Sequence, residues 1–234
     1  MRLPNTAHTS RPWRIHEVAF DFRLEDVWAL PTPGGPDDFP RLLALIALGR
    51  VSQGSARTAR ILWSIRRKLG ELLGWDDPDA GIGSRVSSLR GRLPADLREA
   101  PSGPDNDAPL FTSLYLLDDE RAAEIANRIM RGVTYIDTVP FSSLYLLDDE
   151  WAAEIANWIM HCVIHIGWVP DGTGGHRGQM AILVKRNGLL GTTYMAAIKP
   201  FRHLIIYPAI MQQIGRDWRK PTHELVDDVK GARL

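Results

Sequence analysis

Two spacings of apolar residues divide this chain. Between residues 55 and 74, Ala59, Leu62, Trp63, Leu69, Leu72 and Leu73 recur at three- and four-residue intervals. Arg60, Arg66, Arg67 and Lys68 fall mostly on the opposite side, so the stretch predicts an amphipathic helix whose cations form a solvated face. Ser55 is placed to cap it and Gly74 to end it. A second helix is expected over 39–49, opened by Asp37 or Asp38 and closed by Gly49, after the turn-rich residues 32–36. Aromatic and β-branched residues over 13–22 predict a first strand, with 24–30 leading into a loop. Residues 76–109, rich in Asp, Pro and Gly, read as a long connector with a short helix at 94–99.

Alternation returns after residue 160. Cys162, Ile164, Ile166 and Trp168 share one face of a strand over 161–169, and His161, Val163, His165 and Gly167 share the other. The glycine-rich residues 171–178 form a hairpin loop to a strand over 179–186. Asn187-Gly188 signals a turn toward a further strand at 190–198. Pro200 suits the first turn of a final helix over 201–218, kinked at Pro208, and residues 219–234 read as a charged tail. Residues 1–218 form one domain on this reading.

Thirty residues occur twice. Residues 111–140 and 141–170 are identical at 21 of 30 positions, and the copies stand back to back. A solenoid needs at least about three repeats to bury a continuous core, so this is a duplicated segment within a globular domain. In each copy Leu-Tyr-Leu-Leu predicts a short strand, and Asp-Asp-Glu offers a cap to a following helix at 122–127 and 152–157, although an extended conformation is also open there. Two equivalent segments can compete for one place in a sheet. The spare one can then extend an edge or pair with a second copy of the chain.

Composition narrows the function classes. Lys+Arg and Asp+Glu both number 28, so formal charge is zero and lacks the basic field that a nucleic-acid binder needs. Arginine outnumbers lysine 23 to 5, which points to GC-rich coding and a bacterial source. The single cysteine, Cys162, excludes an internal disulfide and a cysteine-built zinc site, and reads as a buried thiol. No apolar run reaches membrane-spanning length and the N-terminus lacks a signal-peptide pattern, so the expectation is a cytoplasmic protein without a membrane span. No phosphate loop, nucleophile elbow, paired glycosidase carboxylates or His-Glu-x-x-His is present. No metal and no cofactor are expected.

The second copy, with Leu144-Tyr145-Leu146-Leu147-Asp148-Asp149-Glu150-Trp151 and His165-Ile166-Gly167-Trp168-Val169, resembles an uncharacterised bacterial domain family. So do residues 194–203 and Tyr207-Pro208-Ala209. That family is grouped with the START-like, polyketide-cyclase and lipid-transport superfamily, and the resemblance covers about residues 10–218. It implies an α+β helix-grip fold: a curved antiparallel sheet wrapped around a long C-terminal helix, with a cavity between them. Arg121 and Thr138 stand in the first copy where the second has Trp151 and Trp168, which marks the first copy as the insertion, natural or engineered.

The expected function is binding of a small hydrophobic or amphipathic ligand in that cavity. Trp168, Tyr194, Met195, Phe201, His203 and Tyr207 are the candidate lining residues. The alternative is a cyclase- or dehydratase-like enzyme in which His165 or His203 acts as acid or base and Tyr207 positions an oxygen. His203 and Tyr207 are four apart and share a helix face. His161 and His165 are about 13 Å apart on a strand, too far to share a metal ion.

Overall fold

The structure is a computed structural model; it describes residues 1–47, 86–101, 142–156 and 160–220. The predicted helix at 55–74, the first copy of the repeat and the charged tail lie outside them. Six antiparallel strands form one curved, unclosed sheet. They are β1 (Arg2–Leu3), β2 (Arg23–Ala29), β3 (Ser142–Leu146), β4 (Glu150–Ala156), β5 (Met160–Pro170) and β6 (His176–Arg186), in the order β1-β2-β6-β5-β4-β3. The helices are α1 (Thr6–Thr9), α2 (Ile15–Val18), α3 (Phe39–Ala47), α4 (Ala95–Glu99), α5 (Gly188–Phe201) and α6 (Tyr207–Trp218). A π-helical segment, Arg202–Ile206, joins α5 to α6.

Both faces of the sheet are covered. On one, Trp28, Trp151, Cys162, Ile166, Trp168 and Ile182 pack against Phe39 and Leu42 of α3 and against Tyr207, Met211, Ile214 and Trp218 of α6. On the other, Val27, Val163, Ala181 and Leu183 pack against Trp13, Ile15 and Val18 and against Leu89, Leu93 and Leu97. The alternation read for β5 therefore holds, but the face bearing His161 and His165 is a second core. Both histidines are buried on it.

Three elements differ from the sequence reading. The first strand lies at Arg23–Ala29, and residues 15–18 are helical instead. Residues 150–156 form a strand although their Ala and Glu favour a helix, because neighbours on both sides pair with them, from Ser142↔Glu154 on β3 to Ala156↔His161 on β5. Asp148 and Asp149 consequently cap no helix; they turn the chain from β3 into β4. Residues 190–198, expected as a strand, belong to α5. The final helical stretch thus begins before Pro200, which lies inside α5, and the irregularity falls at the π segment before Pro208. The short helix near 94–99 and the strands predicted over 161–169 and 179–186 are present.

Candidate functional site

On the helix-covered face, one carboxylate stands among apolar and aromatic side chains. Asp26 of β2 is fully buried. Its Oδ1 lies 2.5 Å from His203 Nε2, and its Oδ2 accepts from the Tyr207 hydroxyl at 3.2 Å. Arg202 Nη2 stands 2.9 Å from the same Oδ2 as an ion pair, yet its angle is too poor for a hydrogen bond. Arg2, half exposed on β1, approaches Oδ1 to 4.0 Å. The π segment explains how consecutive residues converge on one acceptor: its wider turn brings Arg202 and His203 to Asp26 together with Tyr207.

The surroundings of this cluster are apolar. The Trp28 ring is 4.9 Å from that of Tyr207 and 6.3 Å from that of His203, and Arg202 Nη1 meets the Met195 sulfur at 3.8 Å. Burial, reinforced by Asp26, pushes the Tyr207 hydroxyl far above its ordinary pKa, so it remains a donor. Burial likewise pushes the Cys162 thiol up to about 12, which leaves it inert at neutral pH. His203, Tyr207 and Met195 thus meet as expected. Trp168 lies on the same face but away from them, beside Trp218 and Phe39, with its indole N–H given to the Gly35 carbonyl. The side chains of Tyr194 and Phe201 lie outside the described residues.

A second polar cluster sits on the opposite face and holds His165. His165 Nε2 is 2.9 Å from Glu150 Oε2, and its Nδ1 is 3.1 Å from His8 Nε2. The backbone N–H of Arg14 donates to Glu150 Oε1 at 3.0 Å. Desolvation dominates here: it raises Glu150 to about 7 and lowers His165 to about 3 and His8 to about 2. Both partners of each pair are therefore held toward their neutral forms. Trp13 lies across the site, 5.1 Å from His165, and packs so close to Gly167 that a Cβ there would come within 2.7 Å of two ring atoms.

A third pair repeats this geometry four residues along each strand. His161 Nε2 meets Glu154 Oε2 at 2.7 Å, and Glu154 also accepts from Ser88 Oγ and from the Leu89 N–H at 3.0 Å. Burial works to raise the Glu154 pKa, but the hydrogen bonds outweigh it and the net shift is downward. In the β4–β5 register His165 stands opposite Ala152 and His161 opposite Ala156, so each histidine reaches its acid diagonally. No group of three or more His, Cys, Asp or Glu among the described residues is arranged to hold a metal ion.

His165 and His203 are thus on opposite faces and cannot serve one site. Sequence reasoning missed Asp26, Arg202, His8 and Glu150. A buried acid within a strand was the available signal for Asp26, and the Glu-x-x-x-Glu and His-x-x-x-His spacings of 150/154 and 161/165 were the signal for the other clusters. Residues 18–209 match a family described as protein of unknown function (DUF2867), and the chain belongs to that family. No curated protein and no solved structure matches it.

Proposed function

We propose that this member of the DUF2867 family binds a small hydrophobic or amphipathic molecule between the sheet and the helical residues 188–218, in a START-like helix-grip arrangement. The topology supports that reading: the first long strand, β2, pairs antiparallel with the last, β6, and the final helices follow β6 directly. One observation carries the functional part. A hydrogen-bonded knot of Asp26, His203 and Tyr207, with Arg202 beside it, is set into an interface otherwise built from Trp28, Met195, Met211 and Ile182. An apolar wall with few convergent polar groups is the usual composition of a ligand site. Contact with the wall stabilises a guest by roughly 25 cal/mol per Å² of buried apolar area, while the polar groups fix its orientation. Thermal unfolding of the full chain against a chemically broad panel of apolar and amphipathic compounds tests this. Ligands that fit raise the Tm, and no shift across the panel sinks the reading.

A specific contact favours a second reading, an acid–base enzyme. His203 has Asp26 at one ring nitrogen, an arrangement that fixes the tautomer and leaves Nδ1 without a partner among the described residues. A carboxylate-oriented imidazole of this kind can take a proton from a bound substrate, with the Tyr207 hydroxyl as a nearby donor. His203→Gln then abolishes turnover while leaving ligand affinity within a few fold. Equal loss of both would assign His203 to binding alone.

A further inference from the structure

We propose that residues 4–12, which carry α1, form a strap that the His8–His165 contact latches to the sheet and that acid releases. The strap meets the face opposite α6, so the device is independent of what that other face binds. Its two ends are fixed. Arg2 and Leu3 pair with Trp28 and Val27 on β2, and Trp13, Ile15 and Val18 are buried in the second core. Among residues 4–12, His8 is the one buried residue. α1 itself has four residues and no side-chain cap, too few to keep its shape away from the sheet. Three lesser contacts assist. Gln179 Nε2 donates to the Ala7 carbonyl at 3.2 Å, Asn5 Nδ2 donates to the Leu24 carbonyl at 3.1 Å, and His16 Nε2 stands 3.4 Å from the His8 carbonyl oxygen.

The latch depends on the number of protons in the chain Glu150–His165–His8. Burial raises Glu150 to about 7, so in mildly acid solution the acid and the two imidazoles hold three protons. Three leave the chain neutral, with one proton for each of its contacts, 2.9 Å from Glu150 to His165 and 3.1 Å from His165 to His8. A fourth puts a net positive charge in this buried chain. It also either opposes two N–H groups between the imidazoles or takes the acceptor away from the Glu150 hydroxyl. The neighbours offer no relief. Gln179 of β6 is uncharged, and Tyr145 of β3, in one row with Ala152 and His165, is kept neutral by burial. Arg14 and Glu17 pair with each other at 3.2 Å, and Arg14 also pairs with Asp96 at 2.6 Å. The His16 ring is 4.8 Å from that of His8 and adds only a further cation when protonated. Burial first, then His165 and His16, holds His8 down at about 2 while the strap is closed. Lifted into water, His8 regains its ordinary 6.5, so opening gains about tenfold for each pH unit below that value.

Amide hydrogen exchange of the full chain between pH 7.5 and 4.5 tests the proposal, read as protection factors for residues 7–11 and for 161–169 of β5. Protection of 7–11 should hold steady above about pH 6.5 and fall about tenfold per unit below it, while 161–169 stay protected. His8→Gln keeps a side chain that can meet His165 Nδ1 but cannot titrate, so its strap should lose the pH dependence. His16→Gln should retain it. Protection of 7–11 that ignores pH in the unaltered chain overturns the proposal. So does loss of protection at 161–169 in step with 7–11, which would make the event global unfolding. A dependence that survives in His8→Gln, or vanishes in His16→Gln, assigns the response to another group and overturns the latch. The unaltered chain carries the first two tests whether or not the variants fold.

Discussion

Glu150→Gln should stabilise the protein at alkaline pH, against the ordinary expectation for removing a buried charged partner. Glu150 is 2% exposed and its carboxyl is raised from 4.5 to about 7. A group raised in the folded state contributes stability that is fully present below the unfolded value, here 4.5, and lost as pH rises through the folded value near 7. The difference is about 2.5 units, or about 3 kcal/mol at pH 8. Glutamine is neutral and nearly isosteric, so it can still accept from the Arg14 N–H and donate to His165 Nε2. The substitution removes the ionisation cost without leaving a partner unpaired. His8 and His165 act in the opposite sense. Their folded values are depressed below 6.5, so their contribution is present above 6.5 and is lost as pH falls below it, at about 1.4 kcal/mol per unit for each. The unaltered protein should therefore be most stable near pH 6.5, and Glu150→Gln should keep its full stability up to pH 8. Urea unfolding of both proteins at pH 5.5, 6.5 and 8 measures the difference as a shift in midpoint at constant slope. If the variant is the less stable protein at pH 8, Glu150 is ionised and favourably paired, and the desolvation argument is wrong.

Three further outcomes are expected. Asp26→Ala strands Arg202 as a buried cation and should cost about 3–5 kcal/mol in urea unfolding; a loss below about 1 kcal/mol would mean that Arg202 escapes to solvent. Gly167→Ala places a methyl against the Trp13 ring and should cost about 1–3 kcal/mol with an altered near-ultraviolet dichroism signal, whereas an unchanged signal would show that Trp13 is not seated there. Deleting 111–140 should leave the far-ultraviolet spectrum per residue and the Tm nearly unchanged, because β3, β4 and β5 all come from 142–170. If the shortened chain also changes from an oligomer to a monomer by mass, the spare copy pairs chains; loss of the folded spectrum would show that the first copy is part of the core.

The elements that the sequence displayed clearly were those whose local pattern and tertiary setting agree. Alternation over 161–169 and 179–186 emerges as β5 and β6, and the two faces of β5 divide as the pattern requires. Residues 150–156 were less readable because their composition favours one conformation and their neighbours impose another. The strand wins through pairing on both sides, with Ala152 and Ala153 small enough to be completely buried within the sheet. Polar clusters were the least readable. His203 and Tyr207 could be paired from helical spacing, but their shared partner lies 177 and 181 residues away on β2. His8 reaches His165 across 157 residues, and no local pattern encodes such a meeting. No helix among the described residues is long and apolar enough to cross a bilayer.

The diagonal acid–imidazole pairs across β4 and β5 act as a lock that only one of the two tandem copies can open. Both copies carry the acids, as Glu120 and Glu124 or Glu150 and Glu154, but only the second carries the imidazoles. Threaded into the same slot, 111–140 would set Arg131 and Tyr135 opposite those carboxylates, and Arg121 would replace the indole of Trp151 on the other side. Both copies leave the ribosome before β6, the strand that flanks β5. The place beside β6 therefore opens only after both copies exist, and imidazole and guanidinium should compete for it on affinity rather than on order of synthesis.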